Sequence, residues 1–568
     1  MWARRILGGA KPQGYVFRRY NSTASGGSGG VLALARRRKG LTALTVGSGA
    51  FVTLYYTNDT FALGARHTKH AFQRIVTVAV ACTKCFSLYR KTLKGSYESE
   101  EEYQKALSKT HTNAAEITRL AIEKNAGVFI KLGQHIAALT YIFPEEWTSA
   151  MIPLQDQCPT SSYEEIEGLI RKDVGGTVDD YFATFEKEPL GTASLAQVHK
   201  ATLKDSGMEV AVKVQHPSLE EFVPLDVLMT KTVFNLIDFF FKDYPLTWLS
   251  EELQSSIFVE LDFTEEAKNA QKTQEYFRDF YNETALRVPD VVWAKPRILV
   301  MEFLRGARLD DLEFYDKHHI SRNEVSSCLS HLFNNMIFTP NVGLHCDPHP
   351  GNLAIIPRKR HLLDGGHNFE IILYDHGLYR YVPTNIRRSY ARFWLALLDG
   401  DEPKMRKYAH DFAGIDEHNF QLFAAAITGR DFENATSNVM SRRTENEKKH
   451  MSSTIAEEGL LSNIMVLLHS MPRIVLLILK TNDLTRYLDE KLDAPLGTER
   501  TFLIMAMYCA RTVYEEERER IYSKYKYMWS VPRILAEIKN WWGFFCRRSQ
   551  LTIYDIGMII SNVLPLKK

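Results

Sequence analysis

The stretch HCDPHPGN, His345–Asn352, decides the fold, and a second stretch, YDHGL, follows it at Tyr374–Leu378. The first stretch has an asparagine five residues after Asp347, and the second has a glycine two residues after Asp375. Carboxylate and amide oxygens are ligands that Mg²⁺ accepts, and a bound Mg²⁺ also contacts the phosphate oxygens of a substrate. The two stretches together therefore predict a site for a metal ion and phosphate.

Protein kinases space the groups of their phosphoryl-transfer site in the same way. In that arrangement Asp347 is the catalytic-loop carboxylate, and Asn352 and Asp375 are the metal ligands. Two details differ from an ordinary protein kinase. Cys346 stands where an arginine usually contacts the activation-loop phosphate, and position 376 is histidine rather than phenylalanine. Because no Ala-Pro-Glu motif follows Asp375, we expect no ordinary activation segment.

A strand-rich segment upstream supplies two more kinase-like pieces. It follows a helix that we expect to begin after an N-cap at Thr160 or Ser161. PLGTASLAQVH, at residues 189–199, predicts a turn and then a strand, and the next predicted strand contains Lys213 between valines. In a kinase these would be the phosphate-covering loop and the lysine that contacts the α and β phosphates. Taken alone, however, a lysine that alternates with valine is ordinarily only a solvated side chain.

A helical glutamate and a hinge strand are the next pieces that a kinase requires. FVELDFTEEA, at residues 258–267, crowds carboxylates into a predicted helical region, and either Glu260 or Glu266 could pair with the strand lysine. A buried strand is predicted at Ile298–Phe303, where a kinase has the hinge between its lobes. Glu302 in this strand is therefore a candidate for contact with a nucleotide.

Length and charge distribution indicate several segments. A chain of 568 residues at 45% hydrophobic content can bury large cores, so we expect two lobes or domains with extensions. The net charge of +2 hides an asymmetry, because Met1–Asn58 contains no acidic residue and is rich in arginine. Such a start is typical of a mitochondrial presequence, and RRYNS at Arg18–Ser22 resembles a cleavage site. A disordered basic tail that binds acidic surfaces is the alternative.

An uncharged stretch, LTALTVGSGAFVTLYYT, occupies residues 41–57. It is at the short limit for a membrane-spanning helix, since about 20 apolar residues are typical. The basic run Arg36–Lys39 precedes it and Asn58-Asp59 follows it. In the inner mitochondrial membrane, the positive-inside rule would leave the basic flank in the matrix and the rest of the chain in the intermembrane space. A longer cleaved signal is the alternative.

Residues 65–140 show a helical pattern of apolar residues with few glycines or prolines. The pattern contains KLGQ at Lys131–Gln134. Because glycine inside a helix costs about 1 kcal/mol relative to alanine, its glycine predicts a close packing partner or a bend. Cys82 and Cys85 lie in the same pattern, and we interpret them as packing residues, although an oxidised pair would suit an intermembrane space.

Two further patterns each leave an alternative open. His345, Cys346 and His349 are of types that bind zinc, but Pro348 interrupts their presentation and no fourth ligand stands nearby. We therefore favour a loop in which His345 makes a backbone hydrogen bond and His349 lines the site.

Near the C-terminus, Lys539–Arg548 (KNWWGFFCRR) combines aromatic side chains with cations, which suits either a membrane interface or a helix packed on the globular domain.

The order of the kinase-like pieces is more informative than any one of them. The motifs KLGQ, GTASLAQVH, VAVKVQHP, ELDFTEEA, HCDPHPGN and DHG resemble the signatures of the UbiB family of atypical kinase-like proteins, also called aarF-domain proteins. GTASLAQVH with DHGLY is most similar to the mitochondrial aarF-domain-containing kinase 1 branch of that family. The resemblance covers approximately Gln104–Arg500.

The resemblance implies an α+β, two-lobed protein-kinase-like fold with a helical N-terminal extension, a helical C-terminal tail and a single N-terminal transmembrane helix. With the patterns above, it predicts seven segments: presequence 1–20, basic Gly/Ser linker 21–40, transmembrane helix 41–57, helical extension 58–150, N-lobe 151–305, C-lobe 306–510 and tail 511–568.

The resemblance also implies a role for each site residue. The catalytic residues would be Asp347, Lys213 and Glu266, with Glu266 as the partner of the lysine. Magnesium would be bound by Asn352 and Asp375. ATP or ADP would be bound by Gly191, Thr192, Ala193, Ser194, Lys213 and Glu302. The extension would regulate the site, with Lys131 and Gln134 lying against Glu260 and Asp262.

The implied activity is atypical. The loop keeps only Gly191 and fills the remaining positions with alanine and serine, as in the Ala-rich loop of the family, which implies an altered nucleotide preference and poor protein phosphorylation. The implied function is binding and hydrolysis of Mg-ATP in mitochondrial lipid or coenzyme Q homeostasis. The alternatives are a protein kinase for mitochondrial membrane proteins and a catalytically silent scaffold switched by nucleotide. Expected partners are inner-membrane lipids, coenzyme Q or a precursor, and membrane proteins, but not nucleic acid.

Overall fold

The structure is a computed structural model of the chain. It describes residues 59–138, 143–156, 158–241, 247–347, 349–359, 366–428, 471–525, 527 and 529–563. The predicted presequence, basic linker and transmembrane helix, at residues 1–20, 21–40 and 41–57, lie outside the described residues.

The N-terminal extension consists of three helices: α1 (Asp59–Leu93), α2 (Glu100–Asn125) and α3 (Val128–Ala138). Ser99 caps α2 by accepting a hydrogen bond from the backbone N–H of Glu102. α2 ends where Ala126 and Gly127 both adopt positive φ angles. The predicted helical run is thus divided twice. Cys85 contacts α2, with its Sγ 3.6 Å from Thr118 Oγ1, and the cysteines of this pattern are free thiols.

α3 packs into a core that it shares with later helices. Ile130 is buried in one cluster with Leu154, Val223 and Ile257. Gly133 faces Leu154 so closely that an added Cβ would clash with the leucine side chain. The glycine of KLGQ therefore has the close packing partner that the sequence predicts.

Four short helices lead into the first sheet: α4 (Glu145–Met151), α5 (Pro153–Asp156), α6 (Tyr163–Val174) and α7 (Val178–Tyr181). The predicted cap of α6 is wrong by at least one residue. Ser162 is the N-cap, and it forms a reciprocal capping box with Glu165. Ser161 is occupied elsewhere, because its backbone N–H donates to Gln197 Oε1 and its hydroxyl bonds to His216.

The first sheet has six strands: β1 (Phe182–Phe185), β2 (Gly191–Thr192), β3 (Ala196–Leu203), β4 (Glu209–Gln215), β6 (Val291–Lys295) and β7 (Ile298–Glu302). Five of them are ordered β1-β3-β4-β7-β6, and β2 pairs with β3. The valines of β4 are buried in a cluster with α6. Because side chains alternate along a strand, Lys213 lies on the opposite face, between Val198 of β3 and Leu299 of β7.

Four helices follow β4: α8 (Leu219–Phe240), α9 (Thr247–Glu260), α10 (Phe263–Arg278) and α11 (Tyr281–Thr284). α10 covers the Lys213 face of the sheet, where Phe263 and Ala267 pack on Leu299. The helical region predicted around FVELDFTEEA is broken between α9 and α10. Asp262 begins α10 by accepting a hydrogen bond from the N–H of Thr264 at 3.0 Å. Glu260 and the later glutamates consequently belong to different helices.

The remaining strands are β5 (Leu286–Arg287), β8 (Leu344–His345), β9 (Leu353–Pro357), β10 (Phe369–Leu373) and β11 (Tyr379–Arg380). β9 and β10 are antiparallel, with Leu353 opposite Leu373. This pairing brings the residue before β9 and the residues after β10 to the same end of the hairpin.

Among the described residues of the second half, seven helices surround the largest core: α12 (Leu312–His318), α13 (Arg322–Phe338), α14 (Thr384–Leu398), α15 (Glu402–Ala413), α16 (Phe420–Thr428), α17 (Arg473–Leu492) and α18 (Gly497–Lys524). The core joins helices to the hairpin, since Phe333, Ile371, Tyr390, Phe412 and Ile478 are buried in one cluster. The chain therefore has a helix-rich α+β, protein-kinase-like fold, as predicted.

The last described helix, α19 (Val531–Val563), packs on α18 by one face. Phe544 stacks on Tyr514, and the side-chain N–H of Asn540 donates to the Tyr514 carbonyl at 3.0 Å. Trp541 and Trp542 lie on the other face and are half-exposed. Packing on the globular domain is therefore observed for one face of Lys539–Arg548, and contact of the other face with a membrane interface stays a prediction.

One described helix contains a stretch that is long and apolar enough to cross a membrane by length and composition, His67–Leu93 in α1. Only 6% of its most apolar window is buried. Arg74 in this stretch binds Asp226 of α8, with 2.9 Å between Nε and Oδ1, and its carbonyl accepts a hydrogen bond from Asn125. These contacts attach α1 to the globular part of the protein.

Candidate functional site

Lys213 is the centre of an ion-pair cluster, here called the inner cluster, which consists of Lys213, Glu266 and Asp375. Its Nζ lies 2.6 Å from Glu266 Oε1 and 3.1 Å from Asp375 Oδ1. The ammonium group also lies 5.1 Å from the centroid of the Phe263 ring. The Lys213 side chain is only 17% exposed, so the interpretation of this residue as a solvated lysine is wrong.

A second cluster, here called the outer cluster, consists of Lys131, Glu260, Asp347 and Lys480. Lys131 Nζ lies 2.9 Å from Glu260 Oε2 and 3.4 Å from Asp347 Oδ2. Lys480 Nζ lies 3.0 Å from the other carboxylate oxygen, Asp347 Oδ1. The carboxylate expected in catalysis is therefore held between two lysines, one from α3 of the extension and one from α17.

These lysines and carboxylates determine one another's charge. Burial acts to raise the pKa of Asp347, but the positive charges of Lys480 and Lys131 outweigh it and hold that pKa well below its usual range. Burial also acts to raise the pKa of Asp375, and Lys213 likewise holds it well below. For Lys131, burial lowers the pKa, but Glu260 and Asp347 together raise it. Both aspartates and Lys131 are therefore charged at neutral pH.

Asn352 and Asp375 lie side by side at the end of the β9–β10 hairpin. The carbonyl of Asn352 accepts a hydrogen bond from the Tyr374 N–H at 3.0 Å, which fixes the two segments together. Asn352 Nδ2 donates to the backbone carbonyl of Asp347 at 3.2 Å, so the amide oxygen remains as the ligand atom. Mg²⁺ in phosphate sites takes one or two protein oxygens and completes its shell with phosphate and water. The donor set therefore fits Mg²⁺.

The histidines of the catalytic loop make hydrogen bonds. His345 Nε2 bonds to the backbone carbonyl of Asp375 at 3.0 Å, as the loop interpretation predicts. His349 Nδ1 accepts a hydrogen bond from the Gly351 N–H at 3.1 Å. Within the described ranges, no group of three or more His, Cys, Asp or Glu side chains could hold a metal ion. The hydrogen bonds of His345 and His349 therefore support the loop interpretation.

The loop at Gly191–Ser194 has a fixed, hydrogen-bonded shape. The N–H of Ala193 donates to the Ala196 carbonyl at 2.7 Å, and the Ala193 carbonyl bonds to His216 Nε2 at 3.1 Å. The other ring nitrogen of His216 bonds to the Ser161 hydroxyl at 2.9 Å. A glycine-rich loop can adapt its bare backbone to phosphates, whereas hydrogen bonds to Ala196 and His216 brace this loop.

Three predicted site residues hold other parts of the fold. Glu302 binds Arg287, with 2.6 Å between Oε2 and Nη2. Gln134 donates from Nε2 to the Leu154 carbonyl at 3.0 Å and so fixes the extension to α5. Asp262 caps α10. Of the four residues assigned to the regulatory extension and its contacts, Lys131 and Glu260 meet in the outer cluster.

Sequence reasoning missed Lys480. It lies 133 residues after Asp347, in a helix that also carries buried Ile478 and Thr481. The only signal was a lysine among apolar residues on an amphipathic helix. Because many surface lysines share that pattern, the signal could not identify this one.

Several known proteins resemble this chain in sequence. Residues 153–409 match the ABC1 atypical kinase-like domain. ABC1 family protein MCP2 of Saccharomyces cerevisiae is 54% identical to this chain over 97% of each. The chain belongs to the ABC1 family of atypical kinase-like proteins. Another ABC1 family relative, AarF domain-containing protein kinase 1 of Gallus gallus, is 37% identical over 85% of this chain and 89% of its own length.

Membership of the ABC1 family confirms the resemblance drawn from the motifs. Among solved structures, the Mycobacterium tuberculosis Rv3197–erythromycin complex is similar, with 20% identity, a TM-score of 0.39, and coverage of 71% of this chain and 100% of that one. The ABC1 match at residues 153–409 contains the whole inner cluster. It also contains both carboxylates of the outer cluster, but neither Lys131 nor Lys480.

Proposed function

We propose that this ABC1 family protein binds Mg-ATP between its two clusters and cleaves the terminal phosphate, as an atypical kinase or ATPase. The observation that carries the proposal is the inner cluster. A kinase-type site needs a strand lysine paired with a helical glutamate and a metal-binding aspartate beside it. Lys213 Nζ lies 2.6 Å from a carboxylate oxygen of Glu266 and 3.1 Å from one of Asp375.

Each residue has a defined task in this proposal. Lys213, oriented by Glu266, binds the α and β phosphates. Asn352 and Asp375 would hold Mg²⁺, which when bound neutralises charge on the phosphate oxygens. Asp347 orients the attacking oxygen. Since its pKa is held well below the ordinary carboxyl value, Asp347 is ionised at neutral pH and accepts a hydrogen bond from the attacking group.

We further propose that the protein works at the inner mitochondrial membrane, on lipids or on coenzyme Q or a precursor. The acid-free, arginine-rich N-terminus supports a mitochondrial address, and the uncharged residues 41–57 support a single-pass anchor with the globular part in the intermembrane space. The half-exposed Trp541 and Trp542 of α19 support contact with a lipid surface. The choice of a lipid-related role rests on the family.

Binding is tested by thermal shift on the full-length protein in lipid nanodiscs. Mg-ATP is expected to raise the melting temperature of the unsubstituted protein, and Asp375→Asn is expected to abolish that ligand-induced shift. Asp411→Asn, an exposed aspartate of α15, is the matched control and should keep the shift. No shift in the unsubstituted protein would contradict nucleotide binding and with it both enzyme functions.

The membrane role has its own test. Phosphate release by the reconstituted protein is expected to rise when the bilayer contains anionic lipid or coenzyme Q, and an unchanged rate contradicts the lipid-linked activity. Phosphorylation of a membrane protein that disappears in Asp347→Ala would instead favour a protein kinase. Protease treatment of mitochondria with ruptured outer membranes should degrade the globular part, and its protection would contradict the assigned topology.

A further inference from the structure

The catalytic loop contains no cation of its own. Residues 345–352 include no lysine or arginine, and position 349, two residues after Asp347, is histidine. His349 Nδ1 accepts a hydrogen bond from the Gly351 N–H at 3.1 Å, so this ring nitrogen is used as an acceptor within the loop. A site that cleaves a terminal phosphate needs positive charge where that phosphate lies. Any side-chain cation that adds to the charge of a bound Mg²⁺ must therefore come from another segment.

Lys480 is placed to supply it. Its Nζ lies 3.0 Å from Asp347 Oδ1, so it stands at the carboxylate that orients the attacking group. Lys213 is engaged elsewhere, with Glu266 and Asp375. The Lys480 side chain is 32% exposed, which allows its flexible stem to turn from Asp347 towards a ligand without disturbing the core of α17.

The charges of the two clusters nearly balance in the absence of a ligand. Four carboxylates, of Glu260, Glu266, Asp347 and Asp375, face three lysines. A metal ion bound at Asp375 would add positive charge and release lysine contacts, while a triphosphate would bring negative charge that the lysines can pair with. Lys480 can therefore exchange one anionic partner for another.

We propose that Lys480 binds the terminal phosphate of the bound nucleoside triphosphate, and that Asp347 holds this lysine in position until the nucleotide enters. The inference rests on the proposed nucleotide site and adds to it a residue that distinguishes a triphosphate from a diphosphate. Lys480 of α17 then supplies the positive charge at the terminal phosphate that the catalytic loop does not supply.

The test compares two nucleotides on the full-length protein in nanodiscs. Dissociation constants are measured for Mg-AMP-PNP, which is not hydrolysed, and for Mg-ADP, with unsubstituted protein, Lys480→Gln and Lys480→Arg. Lys480→Gln is expected to weaken Mg-AMP-PNP about tenfold, since one charge-assisted contact is lost, and to leave Mg-ADP unchanged. Lys480→Arg should restore most of the triphosphate affinity. Lys404→Gln, which removes an exposed ion pair on α15, is the matched control and should change neither constant.

The possible outcomes distinguish failure of the proposed nucleotide site from failure of the proposed role of Lys480. If neither nucleotide binds the unsubstituted protein, the proposed function and the role of Lys480 both fail. If both bind and Lys480→Gln weakens them equally, or changes neither, the nucleotide site stands and the role of Lys480 is overturned. An equal loss together with a lower melting temperature of the ligand-free protein identifies Lys480 as a salt bridge that only fastens α17 to the loop.

A second variant keeps the test decisive if Lys480→Gln does not fold. Removing Lys480 leaves the carboxylate of Asp347 with fewer partners, which destabilises a partly buried charge. Asp347→Asn removes that charge, so Asp347→Asn and the double variant Asp347→Asn/Lys480→Gln form a matched pair. The same tenfold, triphosphate-specific difference is expected between them, and equal affinities within the pair overturn the proposal.

Discussion

The inner and outer clusters use the same chemistry but come from different parts of the chain. All members of the inner cluster lie within residues 153–409, which match the ABC1 domain, whereas Lys131 and Lys480 of the outer cluster lie on either side of that range. The domain thus supplies every carboxylate of the site and one lysine, and the flanking helices supply the other two lysines. Flanking segments can therefore change the charge at Asp347 while the inner cluster stays in place.

The largest effect should come from breaking the inner cluster. Lys213→Met removes the phosphate-binding cation and leaves Glu266 and Asp375 unpaired, so affinity for Mg-ATP should fall at least about 100-fold. Isothermal titration calorimetry measures it. Lys200→Met on the neighbouring strand removes a lysine that binds Glu209 at the surface, and it should leave the affinity unchanged. Equal affinities of the two variants would place the nucleotide elsewhere.

Loosening the outer cluster without touching its charges should have the next largest effect. Gly133→Val drives a side chain into Leu154 and should destabilise the packing of α3, which carries Lys131, by about 2 kcal/mol. Gly168→Val in α6 is the control, because an added Cβ there meets no atom within 4 Å. Urea denaturation compares the two. A stability of Gly133→Val equal to that of the control would show that α3 is not held through this contact.

Asp489, a carboxylate outside both clusters, shows by contrast how the lysines affect the pKa values of Asp347 and Asp375. Asp489 is buried and accepts a hydrogen bond from Ser326 at 2.6 Å, and burial raises its pKa to about 6. The folded protein therefore binds this proton more tightly than the unfolded chain. Its contribution to stability is complete below about pH 4 and is lost as the pH rises through about 6. The contributions of Asp347 and Asp375 to stability depend on pH in the opposite direction. They are present at neutral pH and are lost only in acid, below the ordinary carboxyl pKa.

Asp489→Asn should remove the loss of stability that the ionisation of Asp489 causes. The difference in unfolding free energy between the variant and the unsubstituted protein is expected to shift by about 1–3 kcal/mol in favour of the variant as the pH rises from 4 to 8. Chemical denaturation at a series of pH values measures the difference. A difference that does not vary with pH would show that Asp489 is ionised throughout, like the lysine-paired aspartates.

The smallest effect should come from removing the contact between Lys131 and Asp347 while the contact with Lys480 remains. Lys131→Gln/Glu260→Gln removes an ion pair without leaving a buried charge unpaired, and it should raise phosphate release about threefold, because Asp347 loses a competing cation. Lys124→Gln, an exposed lysine at the end of α2, is the control. A rate that stays the same or falls would mean that Lys131 does not restrain Asp347.

Local patterns predicted the inner cluster, and long-range packing decided the outer one. The order of the motifs and the family resemblance placed Lys213, Glu266 and Asp375 in one predicted site, because motif order and spacing can be read directly from the sequence. Capping of α10 by Asp262 could have been predicted from its position before a helix, and it was missed because the carboxylates were read as one helical region. The approach of Lys480 to Asp347 depends on how α17 packs in the core, which no local pattern encodes.

The braced loop at Gly191–Ser194 also affects how fast nucleotide can enter and leave. His216 bonds to the loop carbonyl of Ala193 and is itself bonded to Ser161, so under the proposed function we expect little ordering of the loop on binding. Exchanges of ionic partners at Asp347 and Asp375 would then be the main remaining steps. Asp347 is 37% exposed, so solvent ions reach this carboxylate and screen its lysines. Under the proposed function, nucleotide exchange is then an ion-exchange process, and we expect its rate to respond to salt concentration more than to solvent viscosity.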